Sequence, residues 1–424
     1  MSEEADAPPR VVIVGAGFGG LSAARALAGA SVDVLLIDRQ NYHVFQPLLY
    51  EVATAGLGPD DIAQPVRTIM RGARNVRFRM AGVVGIDPAA REVITDAGVI
   101  AYDYLIIAAG SAVNDFGIPS VRQHATGLKD IDDATAIRNR VLRAFERAGL
   151  AKDEHELLRL MTVVVVGGGP TGVEMAGALA ELKRHILPRD YPELPLERAR
   201  VILLEATPEV LGAMPPRLRR AAERHLRALG VEVRTGAVVA NIEPDCVVLQ
   251  SGDRIEAATI VWVAGVRAAE LADRIPVERG SGGRVCVLPT LQLPGHPTTF
   301  VVGDMALAEG GDGRPLPMLA PVAMQQGRHA ARGILQMTRG QTPAPFRYRD
   351  RGTMATIGRS RAVAHVFGLQ VSGAIAWWMW LALHLVQIIG FRNRLIVLVN
   401  WAWNYLRYDR ANRVVTHVND LEAP

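Results

Sequence analysis

Val11–Gly20 reads VVIVGAGFGG. A continuous β-branched run stops at glycines spaced GxGxxG, at Gly15, Gly17 and Gly20, and a small-residue helix, LSAARALA, follows. The first glycine permits a tight turn, and the second lets the backbone approach a pyrophosphate. The third lets helix pack on strand, so that the helix N-terminus faces the anion. Val163–Gly172, VVVVGGGPTG, repeats the pattern with Gly167, Gly169 and Gly172 and the helix VEMAGALAELKRH. One such cradle means a bound nucleotide; two mean electrons passed between nucleotides. The fold predicted is α/β, with two Rossmann-like dinucleotide-binding domains.

The acid that ends the second strand of each unit separates the two sites. VDVLLID delivers Asp38, 23 positions after Gly15, where a ribose-binding carboxylate belongs. RVILLEA delivers Glu205, 38 positions after Gly167. The excess is an insert, RHILPRDYPELPLERAR, whose Pro188, Pro192 and Pro195 interrupt any helix. A carboxylate here accepts a hydrogen bond from a 2′-hydroxyl and repels a 2′-phosphate. Glu205, followed by Ala206 and Thr207 rather than arginine, therefore favours NADH over NADPH. A solvated strand-end acid is the plainer alternative.

With 424 residues and 49% hydrophobic content, the chain can bury two or three cores. Net charge is only +4, and no basic stripe with interleaved aromatics points to nucleic acid. The N-terminus, MSEEADAPPR, lacks a basic patch followed by an apolar stretch, so the catalytic domains are expected in the cytoplasm. Cys246 and Cys286 are the only cysteines, 40 positions apart, which argues against a redox-active disulfide. Both lie in strand-like runs, where a free cysteine acts as a small hydrophobe. The ten histidines are scattered without ligand spacing, so no metal is expected.

Strands and helices alternate from Arg10 to about Pro119, ending in AYDYLIIAAGS, where Ala108, Ala109 and Gly110 let a strand end approach a cofactor. A helical connection from about Asp130 to Leu160 leads into the second unit, which runs to ATIVWVAGVR. FVVGDMA then sets Gly303 and Asp304 at the end of a buried strand, where open α/β sheets bind ligands. LPMLAPVAMQQGRHAARGIL resumes the first domain, so the second reads as an insertion. The expected division is 1–120 and 286–340 for the first domain, 121–285 for the insert, and 341–424 for a C-terminal domain.

That last part behaves differently. GAIAWWMWLALHLVQII, Gly373–Ile389, is almost wholly apolar; GFRNR breaks it, and LIVLVNWAWNYLRYDRANR follows. Neither half matches the about 20 apolar residues of a bilayer span. The second carries a polar stripe at helical spacing, Asn393, Asn400, Asn404 and Arg407. Tryptophans 377, 378, 380, 401 and 403, flanked by arginines 392, 394, 407, 410 and 413, suit an amphipathic anchor lying in the membrane interface. A helical hairpin buried in a dimer interface and a transmembrane hairpin stay open as alternatives.

DRQNYHVFQPLLYEVATAGL, Asp38–Leu57, resembles the signature of the type II NADH:quinone oxidoreductases, as do GGGPTGVEMAGAL, VWVAGV, FVVGDMA and the tryptophan-rich tail with GFRNR. The resemblance covers nearly the whole chain. It implies non-covalent FAD in the first domain, NADH as substrate in the insert, a C-terminal membrane anchor and a homodimer. FAD would lie on Gly15, Gly17, Phe18, Gly19 and Gly20, with Asp38 on the adenosine ribose and the backbone near Arg39 and Val83 at the adenosine end. Ala109 and Gly110 would approach it from the strand end, Asp304 would hold the ribityl chain, and Ala323 and Met324 would cap the flavin. NADH would lie on Gly167, Gly169 and Gly172, with Glu205 on its ribose and Ala264 and Gly265 beneath the nicotinamide. Glu174 would sit near the flavin's reactive edge, orienting the nicotinamide or relaying protons; an ordinary first-turn helix acid is the alternative.

One departure concerns the quinone. Much of the family reads AQxAxQ where Ala320–Gln325 is APVAMQ, so Pro321 replaces the glutamine associated with the headgroup. Pro321, Met324 and Gln325 remain the candidates at that site, and the type of quinone is not legible. The implied activity is NADH oxidation with two electrons passed to a membrane quinone, without proton pumping, at the cytoplasmic face of the inner membrane. A ferredoxin- or sulfide:quinone-type reductase, or an NADH-sensing flavoprotein that switches partners, are the rival readings.

Overall fold

The computed structural model describes residues 7–407, 410 and 412–416. Met1–Asp6 of the acidic N-terminal stretch, and Tyr408, Asp409, Ala411 and residues 417–424 of the tail, lie outside the described residues. By contacts the chain forms two units. The first comprises residues 1–43, 64–112 and 266–350, and the second 44–63, 113–265 and 351–424.

The first unit is built on a six-stranded sheet in the order Gln292–Leu293, His296–Val301, Tyr104–Ile107, Arg10–Val14, Asp33–Asp38, Val76–Met80. All neighbours are parallel except the short first strand. Val11–Val14, Val34–Ile37 and Leu105–Ile107 are buried, which is why these strands read as unbroken apolar runs rather than alternating ones. Arg10–Val14 pairs on both sides, so its C-terminal end lies at the switch point where such sheets bind ligands. The helices Phe18–Leu27 and Ala320–Met337 pack closely here because both carry glycine at the crossing: a Cβ on Gly327 would collide with the Gly19 carbonyl oxygen.

The second unit repeats the plan with four parallel strands, ordered Val231–Thr235, Arg200–Glu205, Thr162–Val166, Thr259–Trp262. The connecting region is two helices, Ile131–Ala148 and Glu154–Leu160. Asp130 caps the first by accepting from Asp133 N at 2.9 Å, and Asp153 caps the second by accepting from Glu156 N at 2.8 Å, each cap worth about 1 kcal/mol. After the helix Pro170–His185 the prolines of the insert hold the chain to one short helical turn, Leu187–Asp190, and a 3₁₀ turn, Leu196–Arg198. The fold class is as expected: α/β, with two Rossmann-like units.

The boundaries differ from the expected division. The insert runs from Val113 to Gly265, not from 121 to 285. Ala268, Leu271, Ala272 and Ile275 join the first unit's core beside Val301 and Met305, which carries 266–285 into that unit. Residues 44–63 leave the first unit because the helix Leu49–Ala53 packs on Ile131–Ala148 and Pro170–His185. The C-terminal residues join the second unit: the strand Thr353–Thr356 packs on the helix Pro170–His185, where Gly177 makes room for the backbone of Ile357.

The tail is a helical hairpin, Ala374–Gln387 and Phe391–Arg407, broken at Gly390, whose φ of 92° few other residues adopt. The three asparagines of its polar stripe face the protein, while Arg407, expected on the same stripe, is exposed and lies over the Trp403 ring. Asn393, 5% exposed, donates through Nδ2 to the carbonyls of Asp60, Asp61 and Ala63. Asn400 donates to the Asp61 carboxylate at 3.1 Å and Asn404 to the Gly56 carbonyl at 3.2 Å. The apolar face points outward, with Trp378 61%, Val386 67% and Val399 57% exposed. Among the described residues no helix is long and apolar enough to cross a membrane.

Candidate active site

The two cradles are built alike. Gly15 and Gly167 have φ of 98° and 114°, and a Cβ on either would collide with the neighbouring strand end, at Ala108 O and at Ala264 respectively. Gly17 and Gly169 have nearly the same torsions (φ −69°, ψ −166°; φ −70°, ψ −177°) and serve as helix N-caps without any side-chain cap. Nothing lies within 4 Å of where their Cβ atoms would be. A Cβ on Gly20 or Gly172 would strike the carbonyl of Gly15 or Gly167. Each helix therefore starts without a side-chain cap and with open space beside its N-cap glycine, which suits a dinucleotide pyrophosphate.

The strand-end acids also match. Asp38 accepts from Ala16 N at 2.6 Å with one oxygen and from Gln40 N at 2.8 Å with the other. Glu205 accepts from Gly168 N at 2.6 Å and from Thr207 N at 2.7 Å. Each carboxylate thus fixes its glycine loop and keeps lone pairs for a ribose hydroxyl. Burial pushes the Asp38 carboxyl up from the usual carboxylate range, and the Gln40 and Ala16 N–H groups counter this.

Within the first unit, Phe18 and Gly19 start the cradle helix, and a Cβ on Gly19 would crowd Val302 and the Ala323 carbonyl. Ala81 N bonds to Asp38 O, so Val83 starts its strand just beyond the acid, while Arg39 is exposed. Ala109 packs on the core, and Gly110 (φ 75°) turns the chain. Asp304 is held by the Ser111 hydroxyl at 2.6 Å. Three residues that the sequence reading gave no role complete this side. Gln326, buried, accepts from Gly303 N at 2.6 Å and so fixes the turn before Asp304. His43 donates from Nδ1 to the Ala16 carbonyl at 2.9 Å and meets Phe18 edge-on at 5.1 Å; burial lowers its pKa and keeps it neutral. Gly327 admits the second helix. His43 stood inside the quoted signature, but nothing in its spacing foretold its partner.

Of the quinone candidates, Pro321 sits in the first turn of Ala320–Met337, where its missing N–H costs nothing. Met324 is half-buried. Both ends of the Gln325 amide are engaged by Arg349: Nε2 donates to its carbonyl at 3.0 Å, and Oε1 accepts from its N–H at 3.1 Å. A ligand at Gln325 must displace that pair.

In the second unit, Ala264 packs on the core, and a Cβ on Gly265 would crowd the Phe116 ring. Asn114 N bonds to the Gly265 carbonyl at 3.1 Å, and the Trp262 indole donates to Asn114 O at 2.8 Å. Glu174 is not a solvated first-turn acid. It is buried, accepts from Thr356 N at 3.4 Å, and burial raises its pKa to about 8. The Trp380 indole N–H eases that rise without completing a hydrogen bond. At neutral pH Glu174 holds a proton.

Residues 9–327 match the family described as pyridine nucleotide-disulphide oxidoreductase, and residues 351–407 match the NDH2 C-terminal domain. The chain is 42% identical to the type II NADH:quinone oxidoreductase Ndh of Mycobacterium tuberculosis, over 96% of this chain and 91% of that protein. The chain belongs to the type II NADH:quinone oxidoreductases. A second relative in this family, NdhA of the same organism, is also 42% identical, over 96% of this chain and 89% of its own length. The solved structure of NDH2 from Plasmodium falciparum in complex with NADH shares the fold, with a TM-score of 0.88 at 18% identity, over 97% of this chain and all of that one. A sulfide:quinone oxidoreductase from Aquifex aeolicus shares it more distantly, with a TM-score of 0.71 at 20% identity, over 89% and 90%.

Proposed function

We infer that this member of the family oxidises NADH and passes two electrons to a quinone, with FAD bound non-covalently in the first cradle. The observation that carries the reading is the pair of uncapped helix N-termini, each above an open glycine and beside a carboxylate that secures its loop. FAD, when bound, supplies the chemistry, taking hydride from NADH and giving two electrons to quinone.

The chain's own residues bind, orient and manage protons. Gly15, Gly17, Gly19 and Gly20 present backbone N–H groups to the FAD pyrophosphate, and Asp38 takes the ribose. Asp304, oriented by Ser111, takes the ribityl hydroxyls, and Ala323 and Met324 cover the ring. Gly167, Gly169 and Gly172 hold the NADH pyrophosphate, and Glu205 selects the unphosphorylated ribose. Quinone reduction by NADH consumes one proton from solution per turnover. Glu174, buried and protonated at neutral pH, is the acid that supplies it.

The outward apolar face of the hairpin supports attachment to a lipid surface, where quinone dissolves, without spanning it. A peripheral position on the cytoplasmic face of the inner membrane, and a homodimer, belong to the same reading. Purified protein is expected to carry flavin absorbance and to reduce a short-chain ubiquinone with NADH. Preparations that fold but carry no flavin would contradict it.

A further inference from the structure

Glu51 is a half-buried acid that neither cradle uses. It lines a cavity of about 100 Å³ within the second unit, polar and roomy enough to hold water. Its lining combines aromatic rings, from Trp377, Trp380 and Tyr405, with the ionisable groups Glu51, Glu181, His185, Arg359 and Arg410. The helix Pro170–His185 supplies two of those ionisable groups, Glu181 and His185. Glu174, Ala178, Glu181 and His185 recur at intervals of four, three and four, so they share one helix face, and the last three line the cavity. Eleven positions at ~1.5 Å each carry that face about 16 Å along the helix, away from its nucleotide end.

Thr356, which also lines the cavity, joins it to Glu174 through its N–H. Tyr50 donates its hydroxyl to Glu51 Oε1 at 3.2 Å. Arg410 reaches in from the tail, pairing with Glu181 at 3.6 Å and donating to the Thr54 carbonyl at 2.7 Å. Arg359 gives its backbone N–H to Glu181 and lays its guanidinium over the Tyr405 ring at 3.7 Å. The charges facing Glu51 are therefore Glu174, Glu181 and His185 from the helix, Arg410 from the tail and Arg359 from the loop. Burial and the neighbouring Glu181 charge disfavour ionisation of Glu51, against the pull of the Arg410 guanidinium.

Resting on the function inferred above, we propose that Glu51 is a positioning residue for the proton on Glu174, reloading it after each turnover through Tyr50 and cavity water. Glu174 gives its carboxyl proton to the unprotonated oxygen of the reduced quinone, completing the quinol, and becomes a carboxylate. Glu51 returns a proton to it, the O–H bond at Glu51 breaking as the one at Glu174 forms. Solvent restores Glu51 by way of Glu181 and His185. One proton enters per NADH oxidised, which balances the reaction. Burial, the largest influence on Glu51, raises its pKa and lets it hold that proton.

The test compares full-length Glu51→Gln, Glu51→Asp and wild type, reading quinone turnover from about pH 6 to 9, its solvent deuterium isotope effect, and the rate of flavin reduction by NADH without quinone. Glu51→Gln is expected to slow quinone turnover more than flavin reduction, by about tenfold at alkaline pH, less than the 10²–10⁴ of a direct acid because Glu174 remains. Its isotope effect should rise, and Glu51→Asp should restore most of the rate. If Glu51→Gln does not fold, Glu181→Gln is read in the same way. A Gln variant with the wild-type pH profile and isotope effect overturns the relay and leaves the oxidoreductase reading intact. A wild-type protein that never reduces quinone would instead defeat that reading.

Discussion

Glu205 uses its two oxygens on two backbone N–H groups, and this geometry makes the residue structural before it is selective. Glu205→Ala should leave Gly168 N–H without its partner at a cost of about 1–3 kcal/mol. It should also remove the charge that repels a 2′-phosphate. The NADH-over-NADPH ratio of kcat/KM is expected to fall at least about tenfold, roughly 1.4 kcal/mol; an unchanged ratio would show that selection lies elsewhere. Glu174 offers a pH test of the same kind. Its folded pKa of about 8 exceeds its ordinary 4.5, so between these values the folded state binds more protons than the unfolded one. Stability contributed by the protonated acid is thus present below about pH 4.5 and lost as pH rises through 8. Glu174→Gln should flatten that decline in thermal melts, and melts that fall as steeply as wild type would contradict it. The position of Glu174 after the second fingerprint was plain in the sequence. Its burial was not, because the covering groups, Thr356 and Trp380, lie some 180 and 200 positions away.

At the scale of elements, the glycine helices and the tail hairpin show what periodicity reveals and what it omits. The GxGxxG spacing determined strand, turn and helix in both units, since each glycine answers a local steric demand. The contact between Gly19 and Gly327 is equally steric, yet it joins helices three hundred positions apart and leaves only small residues as a trace. Gly327→Val should drive the helices apart and lower FAD retention on gel filtration; full retention would show that the crossing tolerates a side chain. In the hairpin, helical spacing gave the polar stripe but not its direction. Asn393 turns inward because three backbone carbonyls at residues 60, 61 and 63 await a donor, and no local pattern announces them. Asn393→Leu is expected to destabilise the second unit by about 1–3 kcal/mol. The double change Trp378→Ser and Val399→Ser, on the outward face, should leave the melting temperature within a few degrees while weakening binding to anionic phospholipid vesicles at least about tenfold. Equal vesicle binding by the double variant would argue that the apolar face meets something other than lipid.

Across the whole molecule, one cradle is built twice and the second copy is inserted in the first. The sequence made the insertion visible because FVVGDMA and the helix after it resume the first unit's work. Its edges were misplaced because they are defined by packing: Ala268–Ile275 belong to the core of Val301 and Met305, and residues 44–63 belong with two helices far along the chain. The tail, read as a domain of its own, joins the second unit and brings Thr356, Arg359, Trp380 and Arg410 to the acids of its cradle helix. That union links the outward apolar face to the proton-holding groups within one unit. The electron path itself is open to a single decisive observation. In a stopped-flow experiment the purified protein is mixed with one equivalent of NADH until its flavin bleaches, then with a short-chain ubiquinone in the absence of oxygen. Rapid, complete return of the flavin absorbance, with one quinol formed per NADH, is the expected result. A flavin that stays reduced in the presence of quinone would contradict the assignment.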